Sequence, residues 1–301
     1  MNRTNGWNGY SFGTRLDAGG HVAYFRAKQD ATGATTLVMH VPADARNWMP
    51  WSTPSIARFL VHPNIVQLLA SEETDDTSWF AFDYVDGFDL REILSTGPMK
   101  IDDALLVTRD ACCALAYAAS AKTDTGFALN FTHAHVRPRS MLISRLGAVK
   151  LTAFGMGTLK PNEDRSKPGV REQHLYAAPE ILAGNVHEPD PRGDIYAVGA
   201  VLYEMLTGSR WHNFSSAEGL LAATREEPRP ALDGIQTGAL RDSLEGLLSK
   251  ALAHDPRERF QTAADLLTEV DAVVHRFSLS LSPETLAARV QRLRRPEASM
   301  G

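Results

Sequence analysis

Cysteine is scarce in this chain: two residues in 301, Cys112 and Cys113, and they are neighbours. Neighbouring thiols on a helix point in different directions and cannot staple distant segments. A disulfide framework is therefore excluded, and a reducing compartment fits. Both lie in an apolar helical stretch, which assigns them to core packing rather than to metal or redox chemistry. Long hydrophobic runs are missing too. No uninterrupted apolar stretch approaches the ~18 residues of a membrane span, and residues 1–9 are polar, without the apolar core of a signal peptide. Charge of one sign is not in excess: the formal net charge is −5, which argues against a dedicated nucleic-acid binder. Internal repeats and low-complexity segments are absent as well. The expectation is a cytoplasmic protein that binds neither membrane nor nucleic acid.

What is present is an ordinary globular composition, 44% hydrophobic and 22% charged, on a length that suits two lobes sharing a cleft. The first 85 residues alternate short β-branched and apolar runs with turns. Strands are predicted at 36–41, 65–69 and 79–85, with one short helix at 51–60 between Pro50 and Pro63. After Asp86-Gly87 the period changes. Leu105, Leu106, Cys112, Cys113, Ala116 and Tyr117 recur at helical spacing. A strongly apolar helix is predicted from Asp194 to Leu206, stopped by Gly208. Further helices are expected at 244–252, 262–274 and, with a basic face, 283–295. Two short strands, 141–144 and 148–152, interrupt this half with Gly147 at their turn. The predicted units are a strand-rich lobe at 1–85, a helical lobe at 86–275 and a C-terminal tail and helix at 276–301.

That order resembles the protein kinase fold, bacterial Ser/Thr kinases in particular, over residues 10–274. Ala178-Pro179-Glu180 stands as the APE motif. Residues 194–208 look like the central buried helix of the large lobe, and Asp255-Pro256-Arg257-Glu258-Arg259 like the late DPxxR segment. Residues 62–66 (HPNIV) and 83–87 (DYVDG) resemble the approach to the lobe connection and the connection itself. Each motif alone is weak; five in the right order are specific. The resemblance implies an α+β, bilobal fold: a small antiparallel β-sheet N-lobe with one short helix, and a mainly helical C-lobe. It also implies a structural set of His133, Phe154, Glu180, Asp194 and Arg259. In that set Glu180 pairs with Arg259, and Asp194 accepts backbone hydrogen bonds from the catalytic loop.

The family's chemistry needs a strand lysine, a helix glutamate, a catalytic aspartate, and an asparagine and aspartate for magnesium. Met39 aligns with the lysine, and a one-residue slip would put His40 there. Thr53 aligns with the glutamate, and no glutamate occurs from Val41 to His62. The loop from His133 to Ser140 lines up with HRDxKPxN without a gap. Ala134 then replaces the arginine, His135 the aspartate, Arg137 the lysine and Ser140 the asparagine. Ala153 replaces the metal-binding aspartate ahead of Phe154 and Gly155. The glycine-rich loop keeps Gly19 and Gly20, but Asp17 and Val22 stand for its outer glycines, and fewer N–H groups can approach a phosphate. Leu37 and Tyr24 are larger than the residues they replace around the base. Gln173 stands for a threonine near the catalytic aspartate. Thr158 and Ser166 are the hydroxyl residues of the activation segment.

No catalytic position is intact on this alignment. The expectation is therefore a pseudokinase: a protein-binding scaffold or allosteric regulator in phosphorylation signalling, whose partner is an active kinase or its substrate. It is expected to use no cofactor, with ATP binding weak or absent and no magnesium or other metal. The competing reading is an atypical Ser/Thr kinase, or another phosphoryl or nucleotidyl transferase. It would use Lys28 and Arg137 as cations and His135 as base; Arg26 is a further substitute for the lysine. A base without a metal has little to work on, since general base catalysis supplies only ~10²–10⁴ in rate, so the binding reading is favoured. Docking surfaces named by the resemblance are the helices after Gly208, the activation segment and the C-terminal helix.

Overall fold

The computed structural model describes residues 6–16, 22–42, 56–154, 172–183, 190–212, 214, 216, 219 and 230–293. The strand-rich half holds β1 (Gly6–Trp7), β2 (Tyr10–Arg15), β3 (Ala23–Gln29), β4 (Thr35–Pro42), β5 (Leu68–Glu73) and β6 (Thr77–Asp83). They form one sheet in the order β1-β2-β3-β4-β6-β5, every pairing antiparallel. The side-chain period of two gives this sheet two different faces. Val38, Ala27 and Ala81 meet Trp7, Tyr10 and Trp79 on the outer face, where Trp7 stacks on Trp79 at 5.9 Å. Met39, Val41 and Phe80 point the other way, into a core continuous with the helical lobe.

Three expectations for this half shift. The strand predicted at 65–69 begins at Leu68 instead, because the preceding backbone is already engaged. Leu151 donates its N–H to the Asn64 carbonyl at 2.8 Å, and Val66 donates to the Leu151 carbonyl at 2.8 Å. The run 62–66 thus ties the lobes together, with Ile65 as a lone parallel bridge to Leu151. The strand predicted at 79–85 runs from Thr77 to Asp83 and leaves 84–86 as the connection. Of the helix predicted at 51–60, the described part is a 3-10 turn at Ile56–Phe59; residues 51–55, with Thr53, lie outside the described residues.

The helical half begins with β7 (Gly87–Asp89), which joins β8 (Met141–Ser144) and β9 (Val149–Leu151) in a small sheet. Gly147 makes the β8–β9 turn at φ +83°, a conformation that costs a Cβ-bearing residue roughly 1–2 kcal/mol. The helices are α1 (Leu90–Leu94), α2 (Ile101–Ser120), α3 (Pro179–Leu182), α4 (Pro191–Thr207), α5 (Ala239–Ala251), α6 (Ala263–Arg276) and α7 (Pro283–Gln291). Asp89 and Glu92 close a capping box on α1, as Thr262 and Asp265 do on α6, satisfying backbone donors that helix ends leave open. α4 is apolar on nearly every face and correspondingly buried, so it is the axis around which α2, α5 and α6 pack. Each leucine so enclosed contributes about 1.5–3 kcal/mol. Gly208 ends α4 in the left-handed conformation at φ +73°.

α7 packs one face against the helical lobe and leaves the other exposed. Leu286, Ala287 and Val290 are buried, and α7 lies against α2 and β8. Arg289 donates to the carbonyls of Pro98 at 3.0 Å and Gly97 at 2.6 Å, and to Thr96 Oγ1 at 3.1 Å. Cationic in sequence, it caps a loop in the fold. Cys112 is fully buried in α2, and burial pushes its thiol far up from its ordinary range. Among the described residues no helix is long and apolar enough to cross a membrane.

Candidate functional site

The loop from His133 to Ser140 is held from below. Asp194, near the start of α4, accepts the backbone N–H of His133 through Oδ2 and that of Ala134 through Oδ1, each at 2.8 Å. His133 is buried. Its Nδ1 accepts the backbone N–H of His135 at 3.2 Å, so Nε2 carries the proton and donates to the Thr152 carbonyl at 2.8 Å. That single tautomer joins the loop to the strand that leads into Phe154. Phe154 sets its ring edge against His133 at 4.5 Å. Burial drives His133 down to about 4 and raises Asp194 to about 7, against its two backbone donors. Glu180 and Arg259 form a forked pair with both N–O distances 2.8 Å. The remaining Arg259 donors reach the carbonyls of Ala253, Arg192 and His254, so every arm of the fork is occupied.

Above this frame the chemistry-bearing positions look different. His135 takes the place of the catalytic aspartate. Its Nε2 is buried without a hydrogen-bond partner, beside a cavity of about 40 Å³ that Val136, Tyr176, Ile181 and Ala197 also line. Burial first, then Arg137 and His133, lower it to about 3, so it is neutral and a poor proton acceptor near pH 7. Ser140 Oγ is engaged in its own turn, donating to the Arg137 carbonyl at 2.8 Å and accepting the Arg137 N–H at 3.0 Å. Ala153 sits at φ +69°. Its backbone holds the left-handed conformation that an aspartate tolerates more readily than an alanine does.

In the strand lobe, register puts Met39 and His40, the two residues aligned with the family lysine, on opposite faces of β4. Met39 faces Tyr24 on β3 and Phe80 on β6 and is buried on the inner face. His40 turns outward, stacks on Trp79 at 4.2 Å and bonds Thr77 Oγ1 at 2.6 Å. Lys28 stands four residues beyond Tyr24 on β3, roughly 13 Å along the strand. Its ammonium is held at the β3–β4 turn by Thr35 Oγ1 at 2.8 Å and the Gly33 carbonyl at 3.2 Å. Arg26 lies over the Tyr84 ring at 4.9 Å, at the lobe connection. Leu37 pairs with Phe82 across β4 and β6, so two bulky side chains share that rung. Asp17, Gly19, Gly20, Thr158 and Ser166 lie outside the described residues; Gln173 falls in a 3-10 turn at Glu172–Leu175.

A cluster that the sequence did not announce lies beside the catalytic loop. Glu172 is met by Arg139 Nε at 2.9 Å, by Arg137 at 3.6 Å and by Arg91 at 3.7 Å. Arg139 also faces Asp89 at 3.4 Å, and Arg91 pairs with Glu204 at 3.0 Å. Tyr176 donates its hydroxyl to the other Glu204 oxygen at 2.5 Å. The sequence signal was only the pair of arginines at 137 and 139; nothing in it places Arg91 or Glu172 next to them.

Residues 20–270 match the family model for the protein kinase domain, and the chain belongs to that family. The fold is the bilobal kinase fold, the antiparallel sheet forming one lobe and the helices the other. Among curated relatives it is 30% identical to the serine/threonine-protein kinase PrkC of Bacillus subtilis over 216 residues, 71% of this chain and 32% of that protein. It is 32% identical to PknB of Mycobacterium tuberculosis over 223 residues, 71% of this chain and 34% of that protein. With PknD of the same organism the identity is 30% over 69% of this chain and 30% of that protein. The chain spans about a third of the length of these relatives.

These relatives overturn the expectation of a chain without ATP or magnesium. They are named as serine/threonine-protein kinases, a class that works with ATP and Mg²⁺, and that is the cofactor set which the family carries. The two residues aligned with the metal ligands fit the ion poorly: Ala153 has no side-chain oxygen, and Ser140 offers a neutral hydroxyl, already bonded to Arg137, where such sites use carboxylates. No step is therefore derived through a metal at those two positions.

Proposed function

We propose that this kinase-family chain is a pseudokinase: it does not transfer a phosphoryl group, and it acts as a protein-binding regulator or scaffold in phosphorylation signalling. One observation carries the reading. The side chain in the place of the catalytic base is a buried imidazole lowered to about 3, its Nε2 unpartnered, whereas that role needs a group poised near the working pH and within reach of a hydroxyl. The buried Met39 aligned with the lysine supports it, as does the neutral hydroxyl of Ser140, engaged in its own turn. A cytoplasmic setting belongs to the same proposal and rests on the composition.

The test is phosphate transfer from γ-labelled ATP with Mg²⁺ to the chain itself and to a general acceptor such as myelin basic protein, beside a His135→Ala control. The expected result is no transfer above that control. Turnover that His135→Ala abolishes would sink the proposal in favour of the atypical transferase. The proposal concerns transfer and not occupancy. A melting temperature raised by ATP and Mg²⁺ through mass action, with no transfer, would make the nucleotide a structural ligand.

A further inference from the structure

The arginine cluster beside the catalytic loop offers more hydrogen-bond donors than its carboxylates can accept. Arg91, Arg137 and Arg139 converge on one carboxylate, that of Glu172. Only the Arg139 contact, at 2.9 Å, has hydrogen-bond length; the other two stand at 3.6 and 3.7 Å. A carboxylate has two oxygens and one charge, too few for three guanidinium forks. The shortfall is visible at Arg137, whose Nε is buried and has no partner. Three other acids lie nearby: Glu92, which closes the α1 capping box, and Glu204 and Asp89, which already pair with arginines of the cluster. Glu204 divides its oxygens between Arg91 and the Tyr176 hydroxyl. Asp89 caps α1 through Oδ1 and reaches Arg139 through Oδ2 at 3.4 Å. The cluster is also open to solvent: the side chains of Arg91, Arg137, Arg139 and Glu172 are 35%, 28%, 51% and 23% exposed.

We propose that this arginine cluster is the docking site for a phosphorylated segment of a partner protein, Glu172 being the internal anion which the phosphate displaces. The proposal rests on the reading of the chain as a binding module and supplies its partner chemistry. A phosphoserine or phosphothreonine brings three acceptor oxygens and about two negative charges. Those three oxygens suit three guanidiniums, each able to offer a fork, where a carboxylate reaches one of them well. The position fits regulation: the displaced Glu172 begins the turn leading to Tyr176 and α3, so docking would release one end of that segment from the catalytic loop.

The test is fluorescence anisotropy with two labelled degenerate peptide pools, one with a fixed central phosphoserine and one with serine in its place. Inorganic phosphate and unlabelled phosphopeptide pool serve as competitors. The phosphorylated pool is expected to bind at least about tenfold more tightly than its twin, and Arg139→Gln to weaken it about tenfold, as loss of a charge-assisted bond predicts. Glu172→Gln should tighten binding, because it removes the competing carboxylate. That gain of affinity cannot come from a damaged fold. Equal binding of the two pools, binding of neither, or an unchanged affinity in Glu172→Gln overturns the proposal. Displacement by inorganic phosphate at the same concentration as by the unlabelled pool also overturns it, leaving an anion site without peptide docking. Transfer activity is read separately with labelled ATP. An inactive chain that ignores phosphopeptide defeats this inference alone, and an active chain defeats the pseudokinase reading alone.

Discussion

The frame beneath the catalytic loop and the rim above it differ in how fully their polar atoms are matched. In the frame, both Asp194 oxygens, both His133 ring nitrogens and all three donor nitrogens of Arg259 have partners. At the rim, the buried Nε2 of His135 and Nε of Arg137 have none, and Ala153 keeps a left-handed backbone without the side chain that would suit it. Buried polar groups are costly when unpaired. A fold under pressure only to stand would match or remove them. The frame reads as what the architecture needs, and the rim as a place where the architecture leaves buried polar atoms unmatched.

The largest break in that contrast is expected in the frame. Arg259→Ala leaves the Glu180 carboxylate without its cation and three backbone carbonyls without their donor, which costs about 3–5 kcal/mol for a one-sided loss of a buried pair. Urea denaturation followed by circular dichroism checks it through the midpoint. A loss under 1 kcal/mol would mean that Glu180 finds another partner or hydrates freely.

Acid sharpens the comparison from the other side. A histidine whose folded value lies below its unfolded 6.5 costs nothing above pH 6.5. Below it the unfolded chain takes up a proton that the fold refuses, so stability falls with pH until the folded value is reached. His133 and His212, each lowered to about 4, and His135, lowered to about 3, all act in this direction. Asp194, raised to about 7, opposes them: its protonation favours the fold as pH falls. With His62 lowered and Asp110 raised as well, four histidines against two carboxyls predict net destabilisation between pH 6.5 and 4. The His135 share is separable. His135→Leu should gain about 2 kcal/mol on wild type between pH 7 and pH 5, from 1.36 kcal/mol per unit below 6.5. An unchanged difference between the two pH values would show that the imidazole is hydrated and titrates normally.

At pH 7 the same His135→Leu substitution should leave stability within about 1 kcal/mol of wild type, because it removes an unsatisfied buried polar atom and keeps an apolar body in its place. The order of effects, large at Arg259 and slight at His135, restates the contrast between frame and rim as a measurement. A loss of several kcal/mol at His135 would put it in the frame.

How much of this was legible in the sequence follows from how local each signal is. Helix ends were readable where one residue decides them: Gly208 ends α4 and Thr262 begins α6. The Ile65 region was misread as strand because its β-branched run is real while its hydrogen bonds go to β9 across the chain. The C-terminal helix was legible as a helix, but the anchoring of Arg289 was not, because it is a cation in sequence and a donor to loop carbonyls in space. The arginine cluster escaped altogether, since Arg91 and Glu172 are 81 positions apart and neither belongs to a motif. The cofactor expectation failed differently. Missing ligand side chains are evidence about particular positions, and the family to which the chain belongs works with ATP and magnesium.

The smallest expected effect tests whether the rim keeps a backbone shaped for a residue it no longer carries. Ala153 stands at φ +69°, where a Cβ costs roughly 1–2 kcal/mol against a carbonyl oxygen. Glycine removes that clash but gives the unfolded chain about 0.5–1 kcal/mol of extra conformational freedom. The difference predicts that Ala153→Gly stabilises the protein by about 0.5–1 kcal/mol, read as a raised urea midpoint at unchanged slope. Almost everywhere else a change from alanine to glycine destabilises, so the sign alone carries the result. A loss of stability would mean that the backbone around Ala153 relaxes out of the left-handed region in solution. In that case the backbone of the rim would have changed along with its side chains.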